Sequence, residues 1–181
     1  IKYQSLNINN KDCKHIFYSS ANRTKAQALL KGPQYVHYNL FGTVTGRLTT
    51  KSDSFPLLTL RRDFRKMIKP KNNWFLSLDY NGAEIRTFLA LGGHEQPSFD
   101  VHKWNIENIF KTKIERQEAK TIFFSWFYNP DSKVINSDFY KREKVIKDWY
   151  KDGFVKTPMR RKIKVDEKKA FNYLIQSTTS D

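Results

Sequence analysis

Residues 115–129 read ERQEAKTIFFSWFYN, and within them Arg116, Lys120, Phe124 and Tyr128 stand four residues apart. In an α-helix four residues advance about 400°, so these side chains form one stripe that drifts roughly 40° per step over about 18 Å. Two cations followed by two aromatics suit a polyphosphate at one end and a flat base at the other. A separate stripe beside it, Ala119, Ile122, Phe123, Trp126 and Phe127, is apolar. The helix can therefore pack with one face and present the other. An amphipathic helix with merely solvated charges is the plainer alternative, and this segment alone leaves both open.

Composition narrows the partners. The chain has 181 residues, enough for a sizeable core in one or two domains. Its 33 basic and 18 acidic residues give a net charge of +15 and a pI near 9.8. The cations cluster at Arg61, Arg62, Arg65, Lys66, Lys69 and Lys71, and again at Arg160, Arg161, Lys162, Lys164, Lys168 and Lys169. That balance favours a polyanionic partner; a ribosomal or anionic-surface protein fits the charge equally well. Aromatic residues reach 15%, more than a charged tail needs, so the chain is expected to fold and to offer base-stacking surfaces. The single cysteine, Cys13, excludes an intrachain disulfide and a cysteine-rich zinc site, and it fits a reducing, cytoplasmic compartment. No apolar run approaches the roughly 20 residues of a membrane span, so no membrane partner is expected. The first residue is isoleucine, which leaves targeting unjudged.

Patterning predicts a helix at Thr24–Leu30 ended by Gly32-Pro33, then an extended segment over 36–50 turning around Gly42 and Gly46. DFRKMIKP (63–70) and WFLSLD (74–79) alternate as two strands joined by the polar turn at 71–73. Ala83–Leu91 reads as a helix ended by Gly92-Gly93. Further helices are expected over 101–110, 114–128 and 137–151, a hairpin over 153–165 around Pro158, and a helix over the last eleven residues. Asp79 stands at the end of the second predicted strand. A carboxylate there suits a divalent cation, and magnesium prefers carboxylate and phosphate oxygens. Capping of the following helix is the competing role.

Four segments together carry a family resemblance: VTGRLTT (44–50), FLSLDYNGAEIRTFLA (75–90), the 115–129 stretch and AFNYLIQSTTSD (170–181). In this order, and over about 38–181, they resemble the family A DNA polymerases, with a form closer to bacteriophage replicative members. The resemblance implies an α+β right-hand polymerase fold: a partial palm sheet with an inserted helical fingers subdomain. Residues 1–35 would be an N-terminal segment, 36–99 the first part of the palm, 100–152 the fingers, and 153–181 the base of palm and fingers.

The same resemblance implies roles. Asp79 and the carbonyl of Tyr80 would hold magnesium, two ions being expected in the complete enzyme. Glu84 would pack on the sugar of the incoming dNTP and exclude a 2′-hydroxyl; a favourable charge in a first helical turn is its plainer role. Arg86 would support structure through an ion pair. His102, Arg116 and Lys120 would bind the triphosphate, and Lys120 would protonate the pyrophosphate leaving group. Phe124 would pack on the incoming nucleotide and Tyr128 near the template base. Arg47, Asn172 and Gln176 would reach primer–template DNA in the minor groove, where acceptors are common to all base pairs. Asn129 departs from the glycine usual in the family, although asparagine tolerates the left-handed conformation. Residues 55–60 also depart, and no template contact is assigned there.

Two-metal phosphoryl transfer needs at least two carboxylates. The family's second one lies in a His-Asp-Glu strand, and no such sequence occurs in this chain. The expectation is an incomplete part of a DNA-directed DNA polymerase, inactive in isolation, with the remaining segment supplied in cis or trans in a bacterial or phage-infected cell. A non-catalytic basic nucleic-acid-binding module, or a degenerate polymerase relic, is the alternative.

Overall fold

The computed structural model describes residues 5–11, 13–137 and 139–181, which form two compact units. The first comprises Ile1–Thr43 and Arg47–Leu78, and the second Val44–Gly46 and Asp79–Asp181. Helices alternate with small antiparallel sheets, so the class is α+β. Among the described residues no helix is long and apolar enough to cross a membrane.

In the first unit β1 (Asn7–Ile8) pairs antiparallel with β4 (Ile68–Lys69), and β2 (Tyr38–Asn39) with β3 (Thr49–Thr50). Helix α1 (Ser20–Lys31) is longer than the 24–30 expected, because Ser20-Ala-Asn-Arg adds a polar turn that carries no apolar period. Gly32 ends it in an extended conformation, ahead of Pro33. Ala26 and Leu29 of α1 bury against Cys13, Ile16, Phe55, Leu60, Phe64 and Met67. Residues 63–70 are not the expected strand. They form the single turn α2 (Arg62–Arg65) and then β4. Phe64 and Met67 are both buried, and their spacing of three suits a helical turn better than an alternating strand.

The expected strand over 74–79 is absent too. Every residue from 71 to 80 is exposed. Trp74, Leu76, Leu78 and Tyr80 are 82%, 85%, 85% and 84% exposed. Their spacing of two is that of one strand face. A strand needs a neighbour for its ladder, and residues 74–80 make no backbone hydrogen bond to any other described residue. The sequence pattern is therefore that of a strand, while no described residue serves as its ladder partner. Such apolar exposure is an association hazard. Leu76→Ser with Leu78→Ser is expected to cut self-association and hydrophobic-dye binding sharply, with a stability change within about 0.5 kcal/mol. Light scattering and a thermal melt measure the two, and a large loss of stability would mean that these leucines are packed.

In the second unit α3 (Ala83–Leu91), α4 (Val101–Asn105), α5 (Arg116–Tyr128) and α6 (Arg142–Trp149) precede a three-stranded meander and α7 (Glu167–Ser180). The meander is β5 (Tyr150–Lys151), β6 (Phe154–Lys156) and β7 (Lys162–Lys164), paired in that order. Helix α4 runs on into one π-helical turn, Ile106–Phe110, ended by Lys111 in the left-handed region at φ 53°. Helix α6 starts at 142 rather than 137, and residues 150–151, expected in that helix, are strand. The core is aromatic. Phe88 of α3 meets Phe127 of α5 edge-on at 5.8 Å and Phe171 of α7 at 5.3 Å. Ile85, Leu89, Phe123, Trp126, Val155, Leu174 and Ile175 close it.

Arg161, grouped by sequence with a basic cluster for a polyanion, is committed to the fold. Its guanidinium donates to the carbonyls of Thr45 (3.0 Å) and Ser177 (3.1 Å) and pairs with Asp181 at 2.7 Å. Gly46 (φ 86°) lies so close that a Cβ there would meet the guanidinium.

Candidate nucleotide-binding site on helix α5

Helix α5 shows both stripes. Ala119, Phe123, Trp126 and Phe127 are buried, whereas Arg116 is exposed and Lys120, Phe124 and Tyr128 are half-buried. The rings of Phe124 and Tyr128 lie 6.0 Å apart and nearly parallel, at 13°. Four residues of helix thus stack two aromatic faces along the outer side.

The N-terminal end of this stripe is organised by a residue whose role the sequence reading missed. Asp100 caps α4 by accepting from the backbone N–H groups of His102 and Lys103, each at 3.0 Å. It also accepts from Asn81 Nδ2 at 2.7 Å and from Arg116 at 2.6 Å. Hydrogen bonding to Arg116 is the main reason that its carboxyl sits well below the usual carboxylate range. The same bond raises the Arg116 pKa. An aspartate just ahead of Val-His-Lys-Trp is a recognisable helix-cap signal; its second bond, to a cation sixteen residues on, is a tertiary fact.

His102 is buried, and its Nδ1 has no hydrogen-bond partner among the described residues. Its ring lies 5.9 Å from that of Phe124. Burial, then the charge of Arg116, pulls its pKa below the ordinary histidine value, Lys120 adds to this, and Asp100 opposes it. The imidazole is accordingly neutral at pH 7. An unpaired buried nitrogen beside two cations and an aromatic ring is an unmet hydrogen-bonding demand.

The C-terminal end is clasped by Arg142, which sequence reasoning did not single out. Its guanidinium reaches the carbonyls of Trp126 (2.7 Å), Asn129 (2.8 Å), Ser132 (3.1 Å) and Pro130 (3.3 Å), and lies 4.5 Å above the Trp126 ring. A cation at a helix C-terminus satisfies the last carbonyls and complements the dipole. Asn172 Nδ2 donates to the carbonyl of Tyr128 at 3.3 Å. Asn129 is extended, at φ −100°, and not left-handed. These side chains do the work that a C-terminal glycine would otherwise do.

The other expected residues are placed as follows. Glu84 is half-buried in the first turn of α3. Arg86 supports structure by donating to the carbonyls of Asn81, Pro97 and Phe99, each at 2.8 Å, and forms no ion pair with a described residue. Gln176 is half-buried on α7, and Arg47 is an exposed residue of the first unit. Asp79 and Tyr80 are exposed in irregular backbone, so Asp79 does not end a strand. Nor does it cap α3, whose cap is Gly82 in the left-handed region at φ 65°. Among the described residues there is no group of three or more His, Cys, Asp or Glu side chains placed to hold a metal ion. Asp79 offers the hard oxygen that magnesium prefers, but one carboxylate does not fit a two-ion site.

No protein-family description matches this chain, and no curated protein matches it either. The site is therefore read from its own chemistry. Arg116 and Lys120 supply charge, His102 an unpaired nitrogen, and Phe124 and Tyr128 stacking faces. That set suits a phosphorylated ligand carrying a planar base.

Proposed function

We propose that this chain is part of a DNA-directed DNA polymerase of the family A type, contributing palm and fingers, and that α5 binds the incoming dNTP. The observation that carries this reading is the stripe along α5, Arg116 and Lys120 followed by the stacked rings of Phe124 and Tyr128, with His102 against Phe124. The four sequence segments that resemble the family support it. The Asp100 carboxylate holds Arg116 as a phosphate oxygen would.

The reaction is attack of a primer 3′-hydroxyl on the α-phosphate of the dNTP, with pyrophosphate leaving. Arg116 contributes a planar two-pronged grip and Lys120 a point charge. Lys120 is also the group that donates a proton to the departing pyrophosphate. His102, neutral and confined, orients a phosphate oxygen or its water. Phe124 packs on the sugar and base, Tyr128 borders the template base, and Glu84 restricts the sugar. Arg47 and Gln176 address the minor groove of primer–template DNA. Asn172 joins them only by releasing the Tyr128 carbonyl. These are contributions of positioning and charge. Magnesium, when bound, would neutralise the phosphates. Asp79 and the Tyr80 carbonyl are the donors here, and a two-ion site needs at least one further carboxylate, in cis or in trans.

The test is a dNTP titration followed by tryptophan fluorescence, alongside a primer–template binding assay. Arg116→Ala and Lys120→Ala each remove a charged contact worth about 1.5–3 kcal/mol, so dNTP affinity is expected to fall about 10- to 150-fold. Duplex affinity is expected to hold. If duplex affinity falls while dNTP binding stays, α5 faces DNA and the non-catalytic binding module becomes the better description.

A further inference from the structure

The meander that follows α6 carries a surface that the nucleotide site does not use. Its register sets the rows. Lys151 pairs with Phe154, and Phe154 with Lys164; Lys156 pairs with Lys162. Val155 and Ile163, which pair with each other between those rows, are buried. Antiparallel partners share a face and neighbours in sequence alternate. Lys151, Phe154, Lys164, Lys156 and Lys162 therefore all project from the outer face, in two rows about 7 Å apart. The four lysines are exposed, and Phe154 is 40% exposed in the middle of the first row.

Three observations distinguish this from an ordinary solvated sheet. First, no strand residue of the meander is acidic; Asp152 lies in the turn between β5 and β6. Second, none of the four lysines forms an ion pair with a described residue. Third, Lys156 stands directly opposite Lys162, an arrangement that costs stability in an isolated sheet. A bound polyanion relieves that repulsion. The exposed ring at the centre of the cations stacks on no ring of a described residue. A ring in that position stacks on a base only if the base is unpaired, because a duplex keeps its base faces covered.

We propose that the outer face of the β5–β6–β7 meander binds single-stranded nucleic acid, with Phe154 stacking on a base and Lys151, Lys156, Lys162 and Lys164 neutralising the flanking phosphates. The inference is independent of the nucleotide reading of α5, since it uses different residues on a different element.

The experiment uses the full chain and a fluorescein-labelled twelve-nucleotide oligo-dT, with anisotropy followed over a range of potassium chloride concentrations. Lys156→Gln with Lys162→Gln relieves the cross-strand repulsion, so the melting temperature is expected to hold or rise. Oligonucleotide affinity is expected to fall, and the slope of log K against log salt to become shallower by about 1.4, two contacts at about 0.7 each. Phe154→Ala is expected to weaken single-strand binding about 5- to 150-fold while leaving a duplex of the same length unaffected; Phe154→Trp should restore it. Photocrosslinking with 5-iodouracil in the oligonucleotide should label the peptide that contains Phe154. Binding of dNTP to α5 should be unchanged in every variant, which separates the two sites. An unchanged slope in the glutamine variant would overturn the proposal. So would crosslinks confined to other peptides, or equal weakening of vesicles of anionic lipid and oligonucleotide by the lysine changes with none by Phe154→Ala.

Discussion

Arg142→Ala is expected to destabilise the second unit by at least about 3 kcal/mol, because hydrogen bonds from a charged donor are worth about 1.5–3 kcal/mol each and several are lost together. The guanidinium spans four carbonyls, from Trp126 to Ser132, and covers the Trp126 ring. Truncation leaves those oxygens short of partners at the end of α5 and opens space beside a buried indole. For a unit of this size the melting temperature should drop by more than about 10 °C. Near-ultraviolet circular dichroism should lose part of its tryptophan signal at temperatures where the unit is still folded. Arg142→Lys should rescue little, since one ammonium cannot span the set. The functional consequence reaches Tyr128, whose carbonyl neighbours this clasp: the stacking end of the nucleotide stripe should loosen before the Arg116 end does. A melt unchanged from wild type would remove Arg142 from this role.

Arg161→Ala is the second large effect. The side chain of Asp181 is 7% exposed and is held by Arg161 at 2.7 Å and by the Thr157 hydroxyl, which donates to it at 2.6 Å. Removing the cation leaves a buried carboxylate with half its support, a loss of about 3–5 kcal/mol. The Thr45 and Ser177 carbonyls lose their donor in the same step. Hydrogen exchange should accelerate first in the last turn of α7 and around 44–46. Asp181→Asn in the Arg161→Ala background should recover part of the loss, because it removes the unpaired charge; the coupling in this double-mutant cycle measures the pair. Additive losses in the two single variants would mean that the ion pair contributes nothing.

Both residues illustrate why a basic chain is hard to read residue by residue. Thirty-three cations look alike in sequence. Arg142 and Arg161 were part of that background, and each turns out to satisfy backbone carbonyls from a segment distant in sequence. Arg116 was singled out for its place in a stripe, yet its partner is Asp100, which only the docking of α4 beside α5 brings within reach. The lysines of the meander carried no visible pattern until cross-strand register sorted them onto one face.

Local period was decisive where one element buries one face against a core of its own. The stripes of α5, the helix over Ala83–Leu91 and the apolar positions Phe171, Leu174 and Ile175 of α7 follow from spacing alone, since a helix satisfies its own backbone and needs only an apolar side to dock. Strands were legible where a local turn supplies the partner, as in the hairpin expected over 153–165, which forms as β6 and β7, and not elsewhere. Residues 74–79 alternate as a strand should and have no ladder to another described residue, while in 63–67 the apolar pair Phe64 and Met67, three apart, turns helically into the core. A strand's hydrogen bonds belong to another segment, so its pattern states a preference that only a partner can realise. By itself, then, the sequence determined where the longer helices lie, the buried faces of α3, α5 and α7, and the chemical character of the α5 stripe. Tertiary structure decided the sheets, the partners of the arginines and the setting of His102, because each depends on which distant groups share the same small volume.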